Sequence, residues 1–131
     1  MNWTVQEDFF KQECYAIQGA VFEVYRTLGC GFLEAVYQEA MELELNARQI
    51  PFVAQQELCL NYKGVLLHQT YKPDLICFGK IIIELKAVSV LAPEHEAQLL
   101  NYLNAAKLPL GLLVNFGHYP KVQIKRMRIS I

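Results

Sequence analysis

The segment YKPDLICFGKIIIELK, residues 71–86, decides how this chain folds. Two extended runs, residues 70–77 and 81–88, flank Phe78-Gly79-Lys80, a pattern that predicts a β-hairpin with a three-residue loop. With the loop centred on Gly79, Asp74 lies opposite Glu84, and their Cβ atoms are roughly 5 Å apart. A register shifted by one residue would place the two carboxylates on different faces of the sheet. The chemistry of the segment therefore depends on this loop.

Charged side chains inside this apolar segment point to a site. Glu84 and Lys86 are two positions apart on a strand, so they share one face. Two carboxylates as close as Asp74 and Glu84 repel each other, and a divalent cation such as Mg²⁺ relieves that repulsion through oxygen ligands. A lysine on the same face can hold a phosphate oxygen or orient an attacking water. These three residues are the minimal parts of a metal-dependent phosphodiesterase.

A network of cross-strand ion pairs is the alternative explanation of the same charges. In the predicted register Lys72 lies opposite Lys86. The diagonal pairs of these lysines with Glu84 and Asp74 would then neutralise the cluster, and such pairs contribute modestly when exposed. The surrounding isoleucines favour a site instead, because partly buried charged clusters are more often functional.

Two helices are predicted before the hairpin. The first carries an apolar stripe at helical intervals, formed by Phe10, Cys14, Ile17, Val21, Val24 and Leu28. Gly29-Cys30-Gly31 breaks this helix, so that the two helices pack as a hairpin or a sharp elbow. The second helix ends before Pro51 and is expected to bury a stripe of Leu33, Val36, Ala40, Leu43 and Ala47.

The rest of the chain reads as strands and one more helix. Tyr62-Lys63-Gly64 is a predicted turn, and Pro93 opens a helix that buries Leu99, Leu103 and Ala106. The strands are predicted at residues 52–60, 70–77, 81–88, 108–116 and 122–131. The run 81–88 is apolar enough for a central strand, and its β-α-β crossover to 108–116 predicts a mixed sheet. The fold class is α/β.

Composition limits the class of protein. The 131 residues are 53% hydrophobic and 19% charged, which excludes intrinsic disorder and fits a single domain spanning residues 1–131. No apolar run approaches the roughly 18–20 residues of a membrane-spanning helix. Residues 1–8 are acidic and lack the order of a secretory signal. We therefore expect a compact cytoplasmic protein without membrane contact.

The net charge of −1 hides an asymmetry between the two halves. Residues 1–57 hold nine acidic and three basic residues, whereas residues 58–131 hold four acidic and nine basic ones. A basic surface suits a phosphate backbone, and the candidates for such contacts are Lys121, Lys125, Arg126 and Arg128. Alternatively, the two halves neutralise each other across the fold. Charge alone leaves both interpretations open.

The four cysteines do not predict a metal or redox motif. Cys14, Cys30, Cys59 and Cys77 form no C-x-x-C pair, so a zinc ribbon or a thioredoxin-like motif is not indicated. No local spacing supports an iron–sulfur cluster. We interpret all four as small, reduced hydrophobic residues in or near the core.

Two motifs resemble a known family. Pro73-Asp74 followed by Glu84-Leu85-Lys86 is similar to the PD-(D/E)xK nuclease signature. Gly31-Phe32-Leu33-Glu34-Ala35-Val36-Tyr37 matches the G-x-x-E-x-x-Y element of the GxxExxY proteins, a branch of that superfamily. Further matches are Tyr62-Lys63-Gly64, residues 84–88 and the helix face of His95, Gln98 and Tyr102. The resemblance implies a restriction-endonuclease-like αβββαβ core, with a mixed central sheet flanked by helices and an extra N-terminal helix.

The resemblance also implies roles for individual residues. Asp74 and Glu84 would hold Mg²⁺, or Mn²⁺ as a substitute, together with the carbonyl of Leu85. Lys86 would be the catalytic lysine. Glu34 would assist the metal from the first core helix. Gln98 would be the polar residue on the helix after the catalytic strand.

Three further side chains receive supporting or structural interpretations. Tyr37 and Tyr102 are candidates for supporting the site, although a core aromatic with a polar tip is the more common role of such residues. Asn115 ends a predicted buried strand, where a turn-forming role is favoured. His95 is expected near the surface or behind the metal ligands, because His is not a favoured Mg²⁺ ligand.

The function expected from these features is that of a Mg²⁺-dependent nuclease acting on DNA or RNA. The alternative is a non-catalytic nuclease-fold module that binds protein or nucleic acid. Because 131 residues leave little room for a dedicated recognition domain, we expect a homo-oligomer or a partner protein to supply specificity.

Overall fold

Three helices and seven strands make up the part of the chain that the structure, a computed structural model, describes, residues 3–130. The helices are α1 (Trp3–Leu28), α2 (Glu34–Ala47) and α3 (Pro93–Ala106). The strands are β1 (Phe52–Ala54), β2 (Leu58–Tyr62), β3 (Val65–Tyr71), β4 (Leu75–Cys77), β5 (Ile81–Lys86), β6 (Leu110–Asn115) and β7 (Gln123–Arg128). Residue 131, which was predicted to end the last strand, lies outside the described residues, as do residues 1 and 2.

A five-stranded mixed sheet forms the centre of the fold, in the order β1-β4-β5-β6-β7. β5 and β6 are parallel and are joined through α3, whereas the other neighbours are antiparallel. The predicted central position of β5 and the predicted mixed sheet are confirmed. The β4–β5 register pairs Leu75 with Ile83 and Cys77 with Ile81, which confirms the three-residue loop. Gly79, at the centre of this loop, has φ +70°.

The two faces of the sheet carry different helices. α1 and α2 pack on one face, where the β5 side chains are Ile81, Ile83 and Leu85. α3 covers the other face through Leu99 and Leu103, which join a smaller core cluster containing Ile76, Ile82 and Leu113. By strand alternation, Asp74, Glu84 and Lys86 belong to the α3 face. The face with α1 and α2 holds the larger core, and the face with α3 carries the charged side chains.

The buried stripe of α2 differs from the prediction. The helix buries Tyr37, Met41 and Leu45, whereas Leu33, Val36 and Leu43 are 80%, 38% and 66% exposed. Ala40 is half-buried and Ala47 is exposed. Both sets recur at helical spacing, so periodicity alone could not separate them. Packing against α1 and the sheet, together with the anchored hydroxyl of Tyr37, selects the second set.

Two of the predicted strands are each divided. Residues 52–60 break at Gln55, which has φ +54°, so that β1 joins the main sheet while β2 pairs with β3 in a separate two-stranded sheet. Residues 70–77 are interrupted at 72–74, between β3 and β4. The turn at Lys63-Gly64 is confirmed, with both residues at positive φ. The β2–β3 hairpin therefore extends away from the main sheet, and the chain rejoins that sheet at β4, directly after Asp74.

All four cysteines are free, and they differ in burial. Cys14 and Cys77 lie in the core, Cys30 is half-buried, and Cys59 is exposed on β2. The prediction that all four lie in or near the core is thus wrong for Cys59, because β2 belongs to the exposed two-stranded sheet and not to the main sheet. No helix within residues 3–130 is long and apolar enough to cross a membrane.

Candidate active site

The carboxylates of Asp74 and Glu84 each accept a hydrogen bond from a backbone N–H of the other strand segment. Asp74 lies directly before β4, and Glu84 lies in β5, one position beyond the last ladder pair of Leu75 with Ile83. The N–H of Asp74 donates to Glu84 Oε2 at 2.8 Å, and the N–H of Leu85 donates to Asp74 Oδ2 at 2.7 Å. The two carboxylates thus lie side by side, and each has a fixed orientation.

The electrostatics of these carboxyls are unfavourable for negative charge. Glu84 is only 4% exposed, and burial, followed by the charge of Asp74, raises its pKa to about 8. Burial likewise raises the pKa of Asp74, although the hydrogen bond from Leu85 opposes the change. Ionising both carboxyls is therefore unfavourable without a countercharge, which a bound cation would supply.

Glu34 brings a third carboxyl to the edge of the site. It is the first residue of α2, directly after the elbow in which Gly31 has φ +111°. Burial and then the charge of Asp74 raise the pKa of Glu34, whereas Lys86 and His95 oppose the change. The cleft between α2 and the sheet has a volume of about 440 Å³ and is lined by Glu34, Ala35, Gln38, Glu39, Glu42, Gln55 and Asp74.

Lys86 is tied to α3 rather than to the carboxylates. Its Nζ donates to Gln98 Oε1 at 3.0 Å, and Gln98 Nε2 donates to the hydroxyl of Tyr102 at 3.2 Å. The ring of Tyr102 packs against Tyr71, with the ring centroids 4.7 Å apart. Gln98 and Tyr102, both predicted to support the site, thus form a chain that ends on the lysine.

The alternative network of cross-strand ion pairs is not what the structure contains. Lys72 pairs with Glu57, with a 3.9 Å separation between Nζ and Oε2. Across residues 3–130, neither Lys72 nor Lys86 forms an ion pair with Asp74 or Glu84. The carboxylates are not neutralised in the way that network requires.

Tyr37 lies in the core and contacts the elbow between α1 and α2. Its hydroxyl donates to the carbonyl of Gly29 at 2.5 Å and accepts from the N–H of Phe32 at 3.3 Å. Its ring stacks on Phe116, with 4.5 Å between centroids. The interpretation of Tyr37 as a core aromatic is confirmed. Although Glu34 and Tyr37 belong to one motif, Glu34 faces the cleft and Tyr37 holds the turn that precedes it.

Lys125 lies on the same face of the sheet as Glu84. The β5–β6 and β6–β7 registers place Glu84, Leu113 and Lys125 in one row across the sheet. Lys125 Nζ forms an ion pair with Glu96 Oε2 of α3 at 2.8 Å. This lysine is therefore a cation next to the candidate site, although Glu96 partly neutralises it.

The other basic candidates do not join Lys125 in one patch. Arg126 points to the opposite face of β7, where it lines a small cleft with Cys14 of α1. Arg128 pairs with Leu110, at the end of the sheet away from Glu84. Lys121 is exposed in the loop before β7. The four residues are thus distributed over two faces and two ends of the sheet.

Three further polar residues hold the segments around the site, and the roles of two of them, Gln38 and Gln55, were not revealed by sequence patterns. Gln38 and Gln55 donate to Asp74. Asn115 is buried, accepts from the N–H of Val88 at 3.0 Å and that of Gly117 at 3.0 Å, and donates to the carbonyl of Val88 at 2.8 Å. The turn-forming role expected of Asn115 is confirmed, and it also clamps the segment that follows β5.

The fit of this donor set to a metal can be judged from its chemistry. Carboxylates of Asp74 and Glu84 and the carbonyl of Leu85 are oxygen ligands, which Mg²⁺ and Mn²⁺ prefer. In each carboxylate one oxygen accepts a hydrogen bond from a backbone N–H. The other oxygens, Glu84 Oε1 and Asp74 Oδ1, accept no backbone hydrogen bond of this pair. Among residues 3–130, no group of three or more His, Cys, Asp or Glu side chains is arranged to hold a metal ion. The donors fit a cation that keeps several waters.

His95 is committed to the start of α3. The ring nitrogen Nδ1 of His95 accepts from the N–H of Ala92 at 3.0 Å, and the backbone N–H of His95 donates to the carbonyl of Ala92 at 3.0 Å. The ring therefore caps the helix, and it is half-buried.

Comparisons with known proteins agree with this architecture. A family model described as the PD-(D/E)XK nuclease superfamily matches residues 11–127. Three solved chains match the fold, among them the crystal structure of SSO0001, with a TM-score of 0.60 and 18% sequence identity over 74% of this chain and 50% of that chain. The chain thus spans about half the length of that protein. None of the curated proteins matches the chain. The sheet order and these matches confirm the restriction-endonuclease-like fold.

Proposed function

The chain belongs to the PD-(D/E)XK nuclease superfamily, and we propose that it hydrolyses phosphodiester bonds in DNA or RNA with Mg²⁺ as its cofactor. We place it in the GxxExxY branch on the strength of residues 31–37. In this proposal residues 1–131 act as a single cytoplasmic nuclease-like domain. Mn²⁺ serves as a substitute metal.

The observation that carries the proposal is a pair of hydrogen bonds, in which the N–H of Asp74 donates to Glu84 Oε2 and the N–H of Leu85 donates to Asp74 Oδ2. These bonds orient both carboxylates without supplying a countercharge, since backbone N–H groups are neutral dipoles. A structural ion pair would do the opposite and neutralise the charge. A buried and a half-buried carboxylate, oriented side by side without a countercharge, form the arrangement that a divalent cation stabilises.

The metal would be held by Asp74, Glu84 and the carbonyl of Leu85. When bound, it would supply a Lewis acid for a phosphoryl oxygen and would lower the pKa of a coordinated water. Glu34, at the rim of the cleft, can accept a hydrogen bond from a water on the α2 side. The raised pKa of Glu34 fits a group that exchanges a proton with that water.

Lys86 supplies the positive charge on the substrate side. Gln98 holds its Nζ through Oε1 at 3.0 Å, so the lysine is oriented by a neutral partner. Tyr102 orients Gln98 in turn, because its hydroxyl accepts from Nε2. An oriented ammonium can stabilise charge that develops on a phosphoryl oxygen. Packing of Tyr102 on Tyr71 keeps bulk water away from one side of this chain.

Contacts with the nucleic-acid backbone are assigned to the basic C-terminal strand and its preceding loop. Lys125 lies in the row of Glu84, so it is the strongest of the four candidates. Lys121, Arg126 and Arg128 complete the predicted set. A second copy of the chain or a partner protein would supply sequence or structure specificity.

Calorimetry and cleavage assays test this function. Wild-type protein is titrated with Mn²⁺ and Mg²⁺ and is incubated with single-stranded, duplex and branched DNA and with RNA. Asp74→Asn and Glu84→Gln should abolish Mn²⁺ binding and cleavage. Lys86→Met should abolish cleavage while Mn²⁺ binding remains, because the lysine is not a ligand.

Two results would contradict the proposal. Cleavage that persists at the wild-type rate in Asp74→Asn and Lys86→Met would show that another site is responsible. Salt-dependent binding of nucleic acid without binding of either metal would favour the non-catalytic module instead. Lys107→Met, an exposed lysine after α3, is the matched control for Lys86→Met.

A further inference from the structure

Asp74 receives more hydrogen bonds than its neighbours in the interrupted segment before β4. Its carbonyl accepts from Gln55 N at 3.1 Å and from Gln38 Nε2 at 3.0 Å. Its Oδ1 accepts from Gln55 Nε2 at 3.3 Å, while its Oδ2 accepts from Leu85 N. Gln55 thus contacts Asp74 from the position directly after β1 and Gln38 contacts it from α2, whereas Leu85 contacts it from β5.

The backbone of Gln55 has a conformation that its side chain does not favour. Its φ of +54° lies in the left-handed region, where glycine is preferred and a glutamine is strained. Such strain persists where surrounding contacts over-determine it, and it concentrates at functional sites. At Gln55 the left-handed backbone directs the N–H to the carbonyl of Asp74 and the side-chain amide to its carboxylate. Glycine would relieve the strain and lose the second contact.

Gln38 provides the matching contact from the helix. Its Nε2 donates both to the carbonyl of Asp74 and to Glu42 Oε2, the latter at 2.9 Å. Glu42 therefore orients the amide of Gln38, and the amide in turn connects α2 to the strand segment of Asp74. Because Glu34 lies one turn earlier on the same helix, this contact also sets the distance between α2 and the carboxylate pair.

We propose that Gln38 and Gln55 are positioning residues that hold Asp74 in the orientation in which it meets a metal, an assignment that rests on the proposed function. Neither glutamine needs to contact the metal or the substrate. Their effect passes through the backbone and carboxylate of Asp74. Groups that orient a ligand in this way commonly change metal affinity by about 10–100-fold when they are removed.

Gln49 offers a matched control for Gln55. It is also a glutamine with a left-handed backbone, at φ +59°, and it follows the end of α2, where its N–H donates to the carbonyl of Asn46. Replacing either glutamine with glycine relieves a similar strain. Both variants should therefore unfold at a higher temperature than the wild type. A merely structural role of Gln55 predicts that the two variants are alike in every other measurement.

The positioning role predicts that they differ. Gln55→Gly should lower Mn²⁺ affinity by about tenfold in calorimetry, whereas Gln49→Gly should leave it unchanged. Gln38→Met, which keeps the length and helix propensity of the side chain, should also lower the affinity. Gln55→Asn tests the same point without glycine, because asparagine tolerates the left-handed region and is too short to reach Asp74 Oδ1.

Hydrogen exchange separates this inference from the proposed function. The amide of Leu85 is protected by Asp74 Oδ2, so its exchange should accelerate in Gln55→Gly and Gln55→Asn relative to the other β5 amides. Gln49→Gly should leave Leu85 protected. This readout needs no metal. If wild-type protein binds no Mn²⁺, the proposed function fails. The exchange rate of the Leu85 amide in the Gln55 variants still tests whether Gln55 positions Asp74. Unchanged Leu85 exchange and unchanged Mn²⁺ affinity in both Gln55 variants would overturn the positioning role.

Discussion

Asp74 and Glu84 orient each other through the main chain. The N–H of Asp74 donates to Glu84 Oε2 at 2.8 Å, and the N–H that follows Glu84 in β5 donates to Asp74 Oδ2 at 2.7 Å. Both donors are backbone groups, so any side-chain substitution that leaves β4 and β5 paired leaves these donors in place. The arrangement separates the geometry of the carboxylates, which the sheet sets, from their charge, which only a ligand can neutralise.

Glu84 should make the folded state less stable as the pH rises. Its pKa in the fold is raised from 4.5 to about 8, so the folded chain retains a proton that the unfolded chain releases. The free energy of unfolding should therefore fall between these two pKa values, by roughly 2–4 kcal/mol in total. Glu84→Gln mimics the protonated form and should flatten this dependence. Urea denaturation at pH 5, 7 and 8.5 measures it.

A matched variant controls for the loss of one acidic side chain. Glu94 is exposed in the first turn of α3, and Glu94→Gln should leave the pH dependence of the wild type intact. If Glu84→Gln and the wild type lose stability in parallel above pH 5, then Glu84 is not the group responsible.

Mn²⁺ affinity should rise with pH because a metal displaces the proton of Glu84. Below the pKa of about 8, each metal ion that binds must release this proton, which costs about tenfold in affinity per pH unit. We expect the affinity to increase from pH 6 to pH 8 and to level off above that. Calorimetry in two buffers of different ionisation enthalpy gives both the affinity and the number of protons released. Affinity that is constant from pH 6 to pH 8 would contradict a site built on Glu84.

The sequence was sufficient for the hairpin that carries the site. A three-residue loop with Gly79 at its centre leaves one register for two apolar strands, since a shift by one residue would exchange the side chains that face α1 and α2 for those that face α3. From that register the proximity of Asp74 and Glu84 follows directly. The mixed sheet was also predictable, because a helix between two buried strands requires a parallel crossover.

Other features depended on contacts that no local pattern contains. On α2, the predicted stripe that includes Val36 and the observed one that begins with Tyr37 have the same period. Packing against α1 and the sheet, together with the elbow carbonyl that Tyr37 reaches, selects the observed one. The strand break at Gln55 could not be predicted either, because glutamine carries no preference for a left-handed backbone. The two glutamines on Asp74 were missed for the same reason, since their role arises from tertiary hydrogen bonds.

Removing the hydroxyl of Tyr37 should destabilise the fold without altering the site directly. Tyr37→Phe keeps the stacking on Phe116 and loses the bonds with Gly29 and Phe32. Because the buried hydroxyl of Tyr37 connects these two elbow residues to the core, we expect a cost of about 1–2 kcal/mol in the free energy of unfolding. Tyr15→Phe, at a side chain 80% exposed in α1, should cost almost nothing.

The activity of Tyr37→Phe distinguishes a structural tyrosine from a catalytic one. At a temperature where the variant is fully folded, cleavage per molecule and Mn²⁺ affinity should equal those of the wild type. A loss of cleavage beyond about tenfold, with Mn²⁺ affinity unchanged, would place the hydroxyl in the reaction.

Binding of nucleic acid should depend more on Lys125 than on Arg128. Lys125 lies in the row of Glu84, whereas Arg128 lies opposite Leu110 at the other end of the sheet. If Lys125 contacts a phosphate, Lys125→Gln should reduce the slope of log affinity against log salt by about 0.7–0.9, and Arg128→Gln should reduce it less. Fluorescence anisotropy with labelled oligonucleotides at several salt concentrations measures both slopes. Equal slopes for the two variants would rule out this assignment of the backbone contact.

Gly117 should tolerate no larger residue, because the chain after β6 passes directly over the segment after β5. A Cβ built on Gly117 would lie 2.5 Å from both the nitrogen and the oxygen of Val88, which are backbone atoms and cannot move aside as a side chain would. Asn115 clamps these same atoms of Val88, so relieving the clash would also break its hydrogen bonds. Gly117→Ala should therefore lower the free energy of unfolding by about 2–4 kcal/mol.

Gly19→Ala is the control, since only the flexible end of Arg48 lies near it, 3.0 Å away, and alanine favours the helix. Thermal unfolding should show a large loss for Gly117→Ala and no loss for Gly19→Ala, and equal midpoints would show that the two segments can separate freely.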